Sequence, residues 1–292
     1  MNADSAFQIG ASHAVCQDYS LAGGCPPSAS SAEPDRRTNS YVILSDGCSS
    51  SPDTDIGARL LVKAAEQAFN ARGEDAARDP AELHREAAGR ALGWAELMNL
   101  RPQAVDATLL TAHLDGDELR LACTGDGVIC LQSAAGAIDV YSISYPSGYP
   151  LYPSYPHQPE RLLAWRAGEL SGKEVKHFRS ASIESPLRLK DTRNGDSPTE
   201  VFTVSASAYR YAALFTDGIH SFYSAEQTET SKSAQPIPAE NILCGFISFK
   251  SVRGAFVGRR MKKFLQDCRA KGWRHMDDLA IGALYLGDRP CL

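Results

Sequence analysis

Three aspartates share one local setting. Asp46 follows the apolar run Tyr41-Val-Ile-Leu44 and Ser45, Asp217 follows Tyr211 to Phe215 and Thr216, and Asp277 stands just before the apolar run beginning at Leu279. A carboxylate at the end of a buried strand costs desolvation free energy unless it is paired or bound to a metal. Gly47 and Gly218 follow two of the three, and glycine there permits a sharp turn that leaves a carbonyl open to a ligand. With no His/Cys cluster in competition, carboxylates and carbonyls suit a hard divalent cation, Mg²⁺ or Mn²⁺. Asp-Gly is also a common turn dipeptide, and Asp115-Gly116 reads as a hairpin turn and nothing more. One such dipeptide says little alone; the ordered set carries the reading.

The elements that must position these side chains follow from periodicity. Phe7-Gln8-Ile9 reads as a weak strand and Tyr41 to Leu44 as a buried one, with the Gly/Pro/Ser-rich residues 22–39 as a long loop between paired strands. Ile56, Leu60, Leu61, Ala64, Ala65 and Ala68 recur at helical spacing. Asp79-Pro80-Ala81-Glu82 then predicts a capped second helix, its stripe running through Leu83, Ala87, Ala91, Leu92 and Ala95 to about Leu97. Strand-like segments over 107–114, 118–124, 128–132 and 138–143, separated by turn residues, predict an antiparallel meander. The Tyr/Pro-rich stretch 145–159 can be neither a central strand nor a helix and reads as a proline-stiffened flap. A helical block through Phe256, Met261, Phe264, Leu265 and Cys268 stops at Gly272, and a last strand starts at Leu279. Grouped rather than alternating strands and helices predict one α+β domain over residues 1–292.

Composition narrows the function classes. With 35 acidic against 30 basic residues and a net charge of −5, the chain is no general nucleic-acid binder. No run of about 18 apolar residues predicts a membrane span, and the first residues lack the order of a secretory signal. Eight scattered cysteines without a CxxC pair suit reduced thiols, so a cytoplasmic location is expected. The basic run Arg259-Arg260-Met261-Lys262-Lys263 reads as the solvated face of a helix.

Five ordered blocks resemble the protein phosphatase 2C family, the metal-dependent Ser/Thr phosphatases: Cys16-Gln-Asp18; Leu44-Ser-Asp46-Gly47; Asp106-Ala-Thr108-Leu-Leu; Thr124-Gly-Asp126-Gly127; and Phe215-Thr-Asp217-Gly218 with Asp277-Asp-Leu-Ala280. They span residues 8 to 286. Gly10-Ala-Ser-His13, Cys16-Gln-Asp18 and the stretch from Phe249 to Arg260 resemble a bacterial branch of that family. The resemblance implies a sandwich of two antiparallel sheets with helical pairs outside (a four-layer αββα fold) and a cleft with two Mn²⁺ or Mg²⁺ ions at one end.

By that likeness Asp46 bridges the two ions with the Gly47 carbonyl on one, Asp217 and Asp277 complete the other, Asp18 holds metal-bound water, and Asp126 helps to bind a third ion. Two ions roughly 3.5 to 4 Å apart would activate water for in-line attack on a phosphoryl group. Thr108 is expected to hydrogen-bond within the sheet. The implied partner is a phosphorylated protein, a bacterial Ser/Thr kinase or its target, with no nucleic acid and no membrane.

The chain departs from the common pattern at several places. His13 stands where the family has a phosphate-gripping arginine, so it could meet phosphate or donate a proton in catalysis, or simply tie down the loop beside Asp18. Cys48-Ser49-Ser50 follows Asp46-Gly47 in place of His-Gly-Gly, and a thiol is a poor proton donor for a leaving group. Asp278 and Ala280 replace Asn and Thr. His275, two residues before Asp277, could sit near the cleft. Two further readings therefore stand beside a phosphoprotein phosphatase: a pseudophosphatase that binds a phosphoprotein, and a hydrolase of a small phosphate ester.

Overall fold

The computed structural model describes residues 2–24, 40–71, 79–168, 172–195, 197–224 and 235–287. In chain order its first half contains β1 (Asn2–Gln8), β2 (Asp18–Gly24), β3 (Ser40–Asp46), α1 (Thr54–Asn70), α2 (Pro80–Leu97), β4 (Leu109–Asp115), β5 (Glu118–Thr124), β6 (Gly127–Ser133) and β7 (Ile138–Ser144). There follow α3 (Pro159–Ala167), β8 (Glu174–Ser180), β9 (Arg188–Asn194), β10 (Thr199–Ser205), β11 (Tyr209–Phe215), β12 (Phe222–Ser224), β13 (Gln235–Pro236), α4 (Ala239–Ile247), α5 (Phe256–Ala270), β14 (Trp273–His275) and β15 (Leu279–Tyr285).

Two antiparallel sheets form the centre: β1-β15-β11-β6-β7-β8-β9 and β10-β5-β4-β3-β2. Alternation along each strand builds three apolar layers. Val42 and Leu44 of β3 join Leu110, Leu121, Ile129, Leu214 and Leu284 between the sheets. Tyr41 and Ile43, one residue out of phase, face Leu61, Ala65, Leu83 and Ala91 of α1 and α2. On the far side, Phe215 and Ile281 pack with Phe246, Phe264 and Leu265 of α4 and α5. Burying one such Leu or Phe contributes about 1.5–3 kcal/mol, so Leu61→Ala in the helical layer would cost about 2–5 kcal/mol. The expected two-sheet α+β sandwich with flanking helical pairs is the fold observed. Among the described residues, no helix is long and apolar enough to cross a membrane.

The second helix begins where Asp79 predicts: its carboxylate accepts the Ala81 N–H at 3.0 Å. Glu82 faces Arg85 one turn on instead of closing a capping box. Two expectations about strand pairing are corrected. The partner of β3 is not the first strand but β2, which starts at Asp18 and includes residues 22–24; β1 pairs with β15 in the other sheet. Of the expected loop at 22–39, residues 25–39 lie outside the described residues. The meander is also broken: β4 and β5 pair in one sheet and β6 and β7 in the other. The chain changes sheet at Gly125-Asp126-Gly127, where both glycines have positive φ (91° and 145°). A Cβ on Gly127 would lie 2.6 Å from Leu110 Cδ2, so only glycine lets the chain turn so closely over β4.

The Tyr/Pro-rich stretch packs against the domain: Tyr145, Leu151, Tyr152 and Ser154 are buried. It passes through a 3₁₀ turn at Tyr155–His157 into α3, a helix that the local pattern does not reveal. In the basic run, Lys263 pairs with Asp267 at the surface, whereas Arg260 is partly buried and its guanidinium donates to the Gly245 carbonyl at 2.5 Å.

Candidate active site

The sandwich delivers its acidic residues to one end. Asp46 closes β3, and Asp18, which opens β2, is its direct cross-strand partner. Asp217 follows β11, and Asp277 and Asp278 precede β15, its neighbour in the other sheet. Asp126 lies on the crossing between the sheets. The two halves are tied by Thr216: its hydroxyl donates to Asp18 Oδ2 at 2.7 Å and accepts the Ala280 N–H at 2.8 Å. Close backbone contact fixes the Asp217 turn, since a Cβ on Gly218 would lie 1.7 Å from the Asp278 carbonyl oxygen.

The electrostatics are those of crowded carboxylates. Burial, then the charges of Asp18 and Asp217, pushes the Asp46 pKa well above the ordinary carboxylate range. Asp18 is raised by burial, which outweighs hydrogen bonds to Asp46 and Thr216. Asp126 is raised by burial and by Asp217, and Asp277 for the same two reasons. Two oxygens of this cluster, Asp18 Oδ1 and Asp217 Oδ1, are buried with no hydrogen-bond partner. Among the described residues, no three His, Cys, Asp or Glu side chains stand in a geometry that could hold a cation as they are. The donor set is nonetheless all hard oxygen, and orphaned buried carboxylate oxygens that repel one another fit a divalent cation between them.

Gly47 sits in the turn after β3, bridged to Ala107, and its N–H donates to the Gln17 carbonyl at 3.2 Å. A Cβ there would lie 2.7 Å from the Thr54 carbonyl oxygen. Thr108 hydrogen-bonds in the sheet as expected: its N–H donates to the Asp46 carbonyl at 2.8 Å, and its hydroxyl accepts the Asp46 N–H at 3.1 Å.

His13 is at the rim, with Nδ1 3.0 Å from Asp278 Oδ2 and Nε2 3.5 Å from Asp277 Oδ1. Asp278 above all, then Asp277 and Asp18, raises its pKa against the opposing effect of burial and favours the imidazolium. His275 is close but turned away, its Nε2 3.0 Å from the Ile9 carbonyl and its ring stacked on Phe222. Cys48 is half-buried; burial raises its pKa, but hydrogen bonds with Ser50, Tyr152 and Ser51 outweigh this and lower it.

Sequence patterns alone miss three residues. Asp278, noted only as a departure, accepts the Gly10 N–H at 2.7 Å and the Gln17 N–H at 2.6 Å and so binds the loop carrying His13 to the start of β15. Tyr152, buried in the flap, helps to lower the Cys48 pKa. Arg161 of α3 makes a bidentate ion pair with Asp106, both bonds 2.7 Å. No local signal marks the last two, because each contact joins segments distant in the chain.

Comparison with known proteins agrees with this architecture. The solved structures similar to this chain include a bacterial serine phosphatase (TM-score 0.56, 11% identity, 100% of each chain covered). A serine/threonine phosphatase from Staphylococcus aureus gives TM-score 0.55 at 11% identity, covering 98% of this chain and 95% of that one. Another from S. agalactiae gives 0.50 at 12%, covering 98% and 99%. At such identities the likeness is one of fold. No curated protein sequence matches the chain. A family model described as protein phosphatase 2C matches residues 9–265, most of the chain, and the chain thus belongs to the protein phosphatase 2C family.

Proposed function

We propose that this protein is a Mn²⁺- or Mg²⁺-dependent phosphatase that hydrolyses phosphoserine and phosphothreonine on a protein partner, such as a bacterial Ser/Thr kinase or its target. The carrying observation is the convergence of Asp18, Asp46, Asp126, Asp217 and Asp277 from both sheets, with two buried oxygens left without partners, in a chain of this family. Asp46 with the Gly47 carbonyl, Asp217 and Asp277 would hold two ions, and Asp126 would contribute to a third. Bound there, the metals would activate water and neutralise charge on the phosphoryl oxygens.

The protein's own groups supply the rest. Asp18, fixed by the Thr216 hydroxyl, presents its free Oδ1 as a hydrogen-bond acceptor that can orient an attacking water. His13, whose protonated form Asp278 and Asp277 favour, would offer a cation at the rim for a substrate phosphate oxygen. Thr108 keeps the Asp46 backbone in register. The reading takes residues 1–292 as one catalytic domain acting in the cytoplasm, where six described cysteines with free thiols suit a reducing compartment. One observation favours the pseudophosphatase alternative: the His13 ring is already engaged by two carboxylates.

Phosphate release from a phosphothreonine peptide, measured with Mn²⁺, Mg²⁺ or EDTA, separates these readings. Metal-dependent turnover lost in Asp46→Asn and Asp277→Asn is expected. Stoichiometric phosphopeptide binding without turnover would sink the catalytic reading in favour of the pseudophosphatase, and turnover of small esters alone would point to the third.

A further inference from the structure

The turn that follows Asp46 is held from outside the acidic cluster. Its backbone is tied to Asp106, whose carbonyl accepts the Cys48 N–H at 2.8 Å, and its side chains are tied there as well, since the Ser51 hydroxyl donates to Asp106 Oδ2 at 2.8 Å. The Asp106 carboxylate is almost completely buried (2% exposed), so it needs a cationic partner, and Arg161 provides both guanidinium bonds. Arg161 is in turn fixed by the face of Tyr155, 4.6 Å from the ring centroid, and by Gln158 Oε1 at 3.1 Å, both at the end of the flap.

Besides its buried residues Tyr145, Leu151, Tyr152 and Ser154, the flap is held by individual polar contacts. A cavity of about 500 Å³ lies beneath it, with Leu151, Tyr152 and Pro156 on one side and Glu82 and Arg85 of α2 on the other. Two polar contacts fasten the flap and the adjoining start of α3: the His157 ring on the Arg85 carbonyl at 2.8 Å, and Arg161 on Asp106. The second ends on Asp106, whose carbonyl and carboxylate are themselves hydrogen-bonded to Cys48 and Ser51 of the turn after β3.

We propose that Arg161 is a positioning residue: its ion pair with Asp106 latches the flap to the turn after β3 and fixes the geometry with which Asp46 and the Gly47 carbonyl meet a divalent cation. The proposal rests on the phosphatase reading for its consequence in catalysis, but the latch itself does not. A substrate or partner that lifts the flap would strain the latch, and the metal-facing turn would loosen with it.

The test uses the full chain with Arg161→Ala and Arg161→Lys, followed by amide hydrogen exchange and by calorimetric titration with Mn²⁺ in the absence of substrate. Breaking the latch is expected to speed exchange about tenfold in both 145–158 and 47–51 and to weaken Mn²⁺ binding about five- to tenfold. The lysine variant, which keeps the charge but not the fork, should fall between. If Arg161→Ala fails to fold by circular dichroism, Arg161→Lys and Asp106→Asn carry the test, with the same pattern expected. Faster exchange confined to the flap, with the 47–51 turn and Mn²⁺ affinity unchanged, would overturn the coupling. If the wild type binds Mn²⁺ but shows no turnover, the phosphatase reading falls while the latch is still judged by exchange and affinity.

Discussion

His84 gives the sharpest quantitative expectation. It lies on α2 and points into the five-stranded sheet, 1% exposed, with Nδ1 2.7 Å from the Thr124 hydroxyl and Nε2 2.9 Å from the Thr111 hydroxyl. A neutral imidazole satisfies both contacts, donating to one hydroxyl and accepting from the other. Protonation would require both hydroxyls to accept, with no carboxylate to compensate the buried charge. Burial accordingly lowers the pKa from 6.5 to about 3. A base whose folded pKa lies below its unfolded value lets the unfolded chain bind more protons, so stability rises with pH across this interval and is lost on acidification. At pH 5 the unfolded side chain is protonated and the folded one is not, which costs about 2 kcal/mol relative to pH 7.5. Urea unfolding of the wild type and His84→Gln at both pH values isolates this cost, because every other titrating group is shared. The wild type should lose about 2 kcal/mol more than the variant between pH 7.5 and 5. Equal pH dependence in the two proteins, or a His84 imidazole resonance titrating near 6.5 in the folded state, would refute the reasoning.

Two further outcomes concern the acidic end. Mn²⁺ at a hundredfold excess over its dissociation constant should stabilise the wild type by about 2.7 kcal/mol, seen as a rise in Tm, and should do far less for Asp46→Asn or Asp277→Asn; an equal rise in all three proteins would remove these aspartates from the metal site. Gly218→Ala forces a Cβ to within 1.7 Å of the Asp278 carbonyl oxygen, so a loss of about 2 kcal/mol in urea unfolding is expected, together with weakened Mn²⁺ binding. Stability within about 0.5 kcal/mol of wild type would show that the turn yields more easily than its contacts imply.

The local sequence determined the parts. Strand and helix periods are properties of a few consecutive residues, so β3, α1, α2, α5 and β15 were legible, and so were the aspartates that close or precede the strands. Ordered motif blocks then resembled a family whose sandwich the structure bears out. What the sequence left open is what distant segments do to one another. Phe7-Gln-Ile9 and the run at Tyr41 look like partners, yet β1 pairs with β15 at the edge of the other sheet and β3 lies between β2 and β4. Four strands in succession look like a meander, yet two glycines able to take positive φ carry the chain from one sheet to the other and leave Asp126 between them.

Tertiary contacts alone also decided the supporting residues. Asp278 meets Gly10 across 268 positions, and Arg161 meets Asp106 across 55. Neither separation has a periodicity, because packing of the sandwich and not the path of the chain brings them together. His13 could be read from sequence as a phosphate-gripping cation, a proton donor or a loop anchor; its place between Asp277 and Asp278 is set by the meeting of the β1 end with the β15 start. Local pattern fixes which side chains reach the end of a strand, and long-range packing fixes what they find there.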